Sequence, residues 1–218
     1  MWKPREVRPE FLSQIRCVVF DVGETLVDET RIWADLALRV GSTPLTVCGV
    51  LGAVIAQGGD HSDVWGLMGV DVPGFRADVG VDDLYPDALG CVAAVRRAGL
   101  GVGVAGNQPA GVEDLLRHAG LNADFVASSA AWGVAKPDRG FFSRVVDEAK
   151  VSAGHILYVG DRLDNDVLPA RAAGMRTGFI RRGPWGYLHS LKPEAALADL
   201  RIHTLLELTE LLSLPDSI

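Results

Sequence analysis

The chain is predicted to be α/β: a mostly parallel sheet with helices on both faces and a small helical cap inserted near its start. Three observations predict this. Short apolar runs alternate with segments of helical periodicity along most of the 218 residues, which is the sequence sign of strand–helix–strand units. The runs are continuously apolar rather than alternating, as strands buried on both faces are. Between residues 28 and 84 the rhythm breaks and helical patterns replace strands. The expected domains are therefore a sheet core of residues 1–27 and 85–218 and a cap of residues 28–84.

The first strand is CVVFDV (residues 17–22), running into turn residues. The cap follows. RIWADLALRV (31–40) and LTVCGVLGAVIAQ (45–57) have helical patterns, whereas 61–83 is rich in Gly and Asp and ambiguous. The core then resumes with a helix at 87–99, a strand at GVGVAGN (101–107), a helix at 110–120 and a strand at DFVASS (124–129). A helix at 137–150, a strand at HILYVGD (155–161), a helix at 165–174 and a strand at RTGFI (176–180) complete the repeating units. Several of these helices end in Gly, a common stop. The remainder reads as a Pro/Gly loop from 181, a short strand near ADLRI (198–202) and a closing helix.

Composition narrows the function classes. The formal charge of −7 argues against a nucleic-acid partner, since phosphate backbones want a basic face. Cys17, Cys48 and Cys91 are odd in number and contain no CxxC pair, which fits a reducing cytoplasm and neither a disulfide framework nor a zinc site. The charged N-terminal stretch has no apolar signal region, and TVCGVLGAVIA is too short to cross a bilayer. A cytoplasmic protein without a membrane partner is expected; oligomeric state leaves no signal.

Ligands of open parallel sheets bind beyond the carboxyl ends of the strands. Those ends carry Asp21, then Gly106 and Asn107, then Lys136 in AKPD, then Asp161, Asp164, Asn165 and Asp166. Carboxylates beside a lysine suit Mg2+, which takes oxygen ligands, together with a phosphate whose charge the lysine balances. Asn107 and the backbone N–H groups near Gly23–Thr25 are candidate phosphate donors. A carboxylate aimed at phosphorus can be a nucleophile. Asp164 and Asn165 are expected as helix-start residues. GVGVAG (101–106) is formally GxGxxG, but its glycines lie inside a strand rather than between strand and helix, so it is not read as a dinucleotide site.

Asp21 with Thr25-Leu26, Asn107 after its strand, KPD at Lys136 and GDRLDND at 160–166 resemble, in order and spacing, the four motifs of the haloacid dehalogenase-like (HAD) hydrolase superfamily. The resemblance implies a Rossmann-like core, a small helical cap and magnesium-dependent hydrolysis of a small phosphomonoester through an aspartyl-phosphate. It implies Asp21 as nucleophile. Lys136, Asn107 and the Gly106 position would hold phosphate. Asp21, the Gly23 carbonyl, Asp161 and Asp166 would bind Mg2+. The expected partner is a small phosphorylated metabolite.

Two departures qualify this. The motif D-x-D-G-T reads Asp21-Val22-Gly23-Glu24-Thr25 here, so the second aspartate, the family's general acid/base, is replaced by Gly23. Loss of such a group costs about 10²–10⁴-fold, and Gly23→Asp is expected to raise activity. Glu24 is a nearby substitute that would face another way. The Ser or Thr before the motif asparagine is Gly106, removing one phosphate hydrogen bond. The departures keep open a non-catalytic phosphate-ligand-binding or regulatory protein; haloacid dehalogenation is a lesser alternative, since those enzymes lack the paired aspartates kept at 161 and 166. The phosphonatase branch needs a cap lysine, and residues 28–90 contain none.

The five histidines show no ligand spacing and are expected on the surface or in loops. His61 and Arg76 fall in the cap, where substrate contact and plain surface are both open. Trp65, Trp132 and Trp185 could line a pocket or simply pack.

Overall fold

The structure, a computed structural model, describes residues 9–74 and 78–214; Arg76 lies outside them. The elements run β1 (Cys17–Phe20), α1 (Thr30–Arg39), α2 (Pro44–Ala56), α3 (Asp63–Met68), α4 (Ala88–Arg97), β2 (Gly101–Gly106), α5 (Val112–His118) and β3 (Phe125–Ser128). They continue with α6 (Ser129–Trp132), α7 (Arg139–Ala149), β4 (Ile156–Gly160), α8 (Leu168–Ala172), β5 (Arg176–Ile180), α9 (Gly183–His189), β6 (Leu200–Ile202) and α10 (Leu205–Ser213). The six strands form one parallel sheet in the order β3-β2-β1-β4-β5-β6. This is the predicted α/β class.

The continuous apolar strands serve two cores, because successive side chains leave a strand on opposite faces. Val18, Phe20, Val102 and Val104 pack with α4, α5 and α10, whereas Cys17, Val19, Ala105 and Tyr158 pack with α7 and α8. Helices on both faces leave no room for polar alternation. Close packing also fixes some glycines. A Cβ on Gly103 would lie 2.2 Å from the Phe125 ring. Gly103→Ala is therefore expected to destabilise by about 1–3 kcal/mol through overpacking, read from the urea midpoint at unchanged m-value.

Helices α1, α2 and α3 lie between β1 and β2 and build a separate cluster around Trp33, Val47, Leu51, Ile55 and Trp65. Thr43 caps α2 by accepting from the Thr46 N–H at 3.2 Å, with Pro44 in the first turn. The buried side of α2 explains most of its apolar run, although Leu45 remains 84% exposed. The ambiguous 61–83 segment contributes α3. No single helix among the described residues is long and apolar enough to cross a membrane.

One reading is corrected. The expected Pro/Gly loop after residue 181 contains a helix, α9. Pro184 stands in its first turn, where a missing N–H breaks no intrahelical bond. Trp185 from this helix is buried in the α1–α3 cluster. A local pattern dominated by Gly and Pro gives no hint of that tertiary partner.

Candidate active site

In the observed strand order the connectivity reverses between β1 and β4, the place where an open parallel sheet forms a crevice at its carboxyl edge. The chain leaving β1 delivers Asp21, whose N–H still donates to Val159 O at 2.8 Å. The chain leaving β4 delivers Asp161. The next residues make a wide π-helical turn, Leu163–Val167, of the kind common at functional sites. That turn brings Asp166 back over the strand end, where its Oδ2 accepts from the Arg162 N–H at 2.9 Å. A Cβ on Gly160 would collide with the Asp166 carboxyl at 2.4 Å, so this close approach needs a glycine.

Lys136 comes from the segment before α7 and is 5% exposed. Its ammonium donates to Asp21 Oδ1 and to Asp166 Oδ1, both at 2.6 Å. The Phe141 and Tyr158 rings flank it, with centroids 5.9 and 5.7 Å from Nζ. Tyr158 is held by donating to Ala105 O at 2.8 Å. Asn107 grips the Lys136 main chain at both ends of its amide: Nδ2 donates to Lys136 O at 2.9 Å and Oδ1 accepts from Lys136 N at 2.7 Å. Asn107 was expected as a phosphate donor; in this geometry much of its bonding capacity positions the lysine.

Asp21, Asp161 and Asp166 are all buried, each offering a carboxylate oxygen within 4.8 Å of the others. Burial first, and then the Asp166 charge, push the Asp21 carboxyl up to about 6 against the opposing pull of Lys136. Asp161 is raised well above the usual carboxylate range, by burial and then by Asp166 and Asp21. Burial works against the Lys136 ammonium, but Asp166 and Asp21 overcome it and hold its pKa well above normal. Three clustered carboxylates thus face one ammonium. The oxygen-only donor set and its surplus of negative charge fit a hard divalent cation such as Mg2+.

The two departures take concrete form. A Cβ on Gly106 would stand 2.6 Å from Asp21 Oδ1 and 3.1 Å from Val22 Cγ2, so the Asp21 carboxylate occupies the space a Ser or Thr would claim. A Cβ on Gly23 would stand 2.3 Å from Glu29 Oε1 and 2.8 Å from Glu29 Cδ. The Glu29 carboxyl already fills that volume, so an aspartate at residue 23 needs the end of that side chain to turn aside. Glu24 does turn elsewhere. Its backbone is left-handed, with φ of 51°, and its carboxylate accepts from the Tyr85 hydroxyl and, at 3.1 Å, from the Glu29 N–H.

Above the carboxylates lies a cavity of about 610 Å³, walled by Trp33, Trp65 and Trp185 and bordered by Asp60, His61 and Arg162. Trp33 and Trp65 stack with centroids 6.0 Å apart. Arg162 lies over Trp185 at 4.5 Å, and pairs with Asp164 at 2.9 Å and Asp60 at 3.6 Å. Asp164 and Asn165 line the rim of the cavity rather than joining the carboxylate cluster. Trp65 and Trp185 both pack and line the pocket, whereas Trp132 packs against Phe141. His61 is at the rim beside Asp60, 2.9 Å away.

Sequence reasoning missed several supports. Glu29 is the most important; it lies eight residues after Asp21 in a helix-start position and looks like an ordinary cap. Arg182 donates to Thr25 O at 2.9 Å, pairs with buried Asp87 and stacks on Tyr85 at 3.9 Å. His189 was expected on the surface or in a loop; it is 3% exposed in α9, and its Nδ1 accepts from the Leu163 N–H at 3.1 Å. That bond helps anchor the turn carrying Asp166. Nothing in the sequence pairs His189 with residue 163.

Comparison with known proteins agrees with this architecture. The family model for haloacid dehalogenase-like hydrolases matches residues 15–174. A haloacid dehalogenase-like hydrolase domain-containing protein 3 of Danio rerio is 30% identical over 121 residues, 54% of this chain and 50% of that protein. A phosphoserine phosphatase of Thermus thermophilus is 37% identical over 130 residues, 57% of this chain and 49% of that protein. The chain thus spans about half the length of the curated relatives it matches. In fold, the HAD-hydrolase YfnB of Bacillus subtilis, solved bound to magnesium, superimposes with a TM-score of 0.66 at 21% identity, covering 92% of this chain and 99% of that one.

Proposed function

Because this chain belongs to the haloacid dehalogenase-like hydrolase family, over residues 15–174, we propose that it is a magnesium-dependent phosphatase of a small phosphomonoester. The observation that carries this reading is Lys136, buried between Asp21 and Asp166 with Asp161 adjoining, at the floor of an open cavity. Phosphatase-named relatives support the same class. The cavity volume lies within the range typical of small-molecule sites, and Trp33, Leu36, His61, Trp65 and Val72, from the segment between β1 and β2, supply much of its wall as a cap.

An Asp21 carboxylate oxygen attacks phosphorus in line, forming an O–P bond as the bond to the alcohol oxygen breaks. Water then attacks the aspartyl-phosphate, the Asp21–phosphorus bond breaks and inorganic phosphate leaves. Lys136 faces the phosphoryl oxygens and stabilises the charge that gathers there. Asn107 fixes the lysine main chain. Magnesium, when bound by Asp21, Asp161, Asp166 and the Gly23 carbonyl, supplies further charge neutralisation.

The test is release of p-nitrophenol from p-nitrophenyl phosphate with and without magnesium. Magnesium-dependent turnover is expected. Binding of phosphate esters without turnover would instead select the non-catalytic reading that the Gly23 and Gly106 replacements suggest. A second readout is independent of activity. Magnesium is expected to raise the melting temperature in proportion to ln(1 + [Mg2+]/Kd). Asp161→Asn is expected to abolish most of that increment while leaving the protein folded.

A further inference from the structure

The geometry points to Glu29 as the proton donor and acceptor of this site, standing in space for a side chain that Gly23 cannot provide. This inference rests on the phosphatase reading above. Hydrolysis through Asp21 has two proton requirements: the departing alcohol oxygen must gain a proton, and the attacking water must lose one. Asp21 and Asp166 are both engaged with Lys136, and Asp161 is clustered with them. Glu24 is turned to Tyr85, and Asp60 and Asp164 pair with Arg162 at the rim.

Glu29 is different. It lines the cavity, and among the described residues it makes no ion pair. Its Oε1 lies 2.3 Å from where a Cβ of residue 23 would be, two residues from Asp21 along the chain. The carboxyl is held there by the Trp33 indole N–H, which donates to Oε2 at 3.3 Å, while the Glu29 main-chain N–H is tied to Glu24. Glu24 thus serves as a positioning residue for Glu29, and Tyr85 for Glu24. A carboxyl without a basic partner, fixed at the Gly23 position and lining the same pocket as Asp21, is suited to carry a proton.

The steps balance as follows. As Asp21 attacks and the phosphorus–alcohol bond breaks, the Glu29 carboxylic acid gives its proton to the leaving oxygen and becomes a carboxylate. As water attacks the aspartyl-phosphate, that carboxylate takes a proton from the water. Asp21 and the Glu29 acid are both regenerated, and phosphate departs.

The experiment compares leaving groups. Glu29→Gln keeps the shape and the Trp33 contact but cannot transfer the proton. Single-turnover alcohol release from glycerol 2-phosphate, whose alkoxide needs a proton, is expected to fall by about 10²–10⁴-fold. Release from p-nitrophenyl phosphate, whose leaving group needs little protonation, is expected to fall far less. A general structural defect would slow both equally. Gly23→Asp combined with Glu29→Ala, which vacates the contested volume, is expected to recover much of the alkyl-ester rate. If the wild type hydrolyses both esters through Asp21 and Glu29→Gln leaves their ratio unchanged, the role of Glu29 is overturned and the phosphatase reading stands. If no hydrolysis depends on Asp21, both fall together.

Discussion

Asp21→Asn is expected to abolish magnesium-dependent p-nitrophenyl phosphate hydrolysis, by about 10⁴-fold or more, without unfolding the protein. The amide is a poor nucleophile toward phosphorus, and the Asp166 carboxylate is held at both oxygens, by Lys136 and by the Arg162 N–H. Stability should move the other way. Burial and Asp166 already make the Asp21 charge unfavourable, holding its carboxyl up at about 6. Removing one of three clustered carboxylates relieves that repulsion, as is common where a site trades stability for function. A thermal melt equal to or above that of the wild type, beside lost turnover, is the expected pair of results. Turnover that survives in the variant would move the nucleophile elsewhere.

Lys136→Met is expected to be the most destabilising substitution in the site. Methionine fills the aliphatic volume between Phe141 and Tyr158 but leaves Asp21 and Asp166 without their shared cation. Removing one partner of a buried ion pair costs about 3–5 kcal/mol. For a chain of this size that corresponds to a fall in melting temperature of roughly 6–20 °C. The loss should depend on pH in a defined direction. In the wild type Lys136 pulls the Asp21 pKa down from the level that burial and Asp166 would impose, so the variant raises it further. A carboxyl with a folded pKa above its unfolded value binds more protons in the folded state. Its destabilising effect is therefore absent at low pH and grows as pH rises through the window between the two values. In metal-free buffer the deficit of Lys136→Met should be smaller at pH 5 than at pH 8. An equal deficit at both would place the cost in packing rather than in unpaired charge.

The parts of this molecule legible in the sequence are those whose cause is local or periodic. The strands at CVVF, GVGVAG, FVAS, ILYVG and RTGFI are apolar runs bounded by turns, and both faces of the resulting sheet are covered. GVGVAG could be separated from a dinucleotide loop because its glycines fall within the strand, and they form β2. Asp21, Asn107, Lys136, Asp161 and Asp166 could be expected near one another because parallel strands of one sheet present their carboxyl ends on one edge. The helix α9 could not be expected. Its Gly and Pro residues give no helical signal, and its stability depends on Trp185 entering a cluster built more than a hundred residues earlier.

The sequence by itself determined the class of fold, the edge of the sheet where chemistry would gather, and the absence of a side chain at residue 23. All three follow from residue type and order. Only the tertiary structure decided what those residues do to one another. It placed Lys136 between two carboxylates, turned Asn107 toward the lysine main chain, and directed Glu24 to Tyr85. It also put the Glu29 carboxyl into the volume beside Gly23. The reason is physical: a vacancy is written in one residue, but which side chain fills it depends on the direction in which α1 leaves the loop and on the Trp33 contact that holds the carboxyl there.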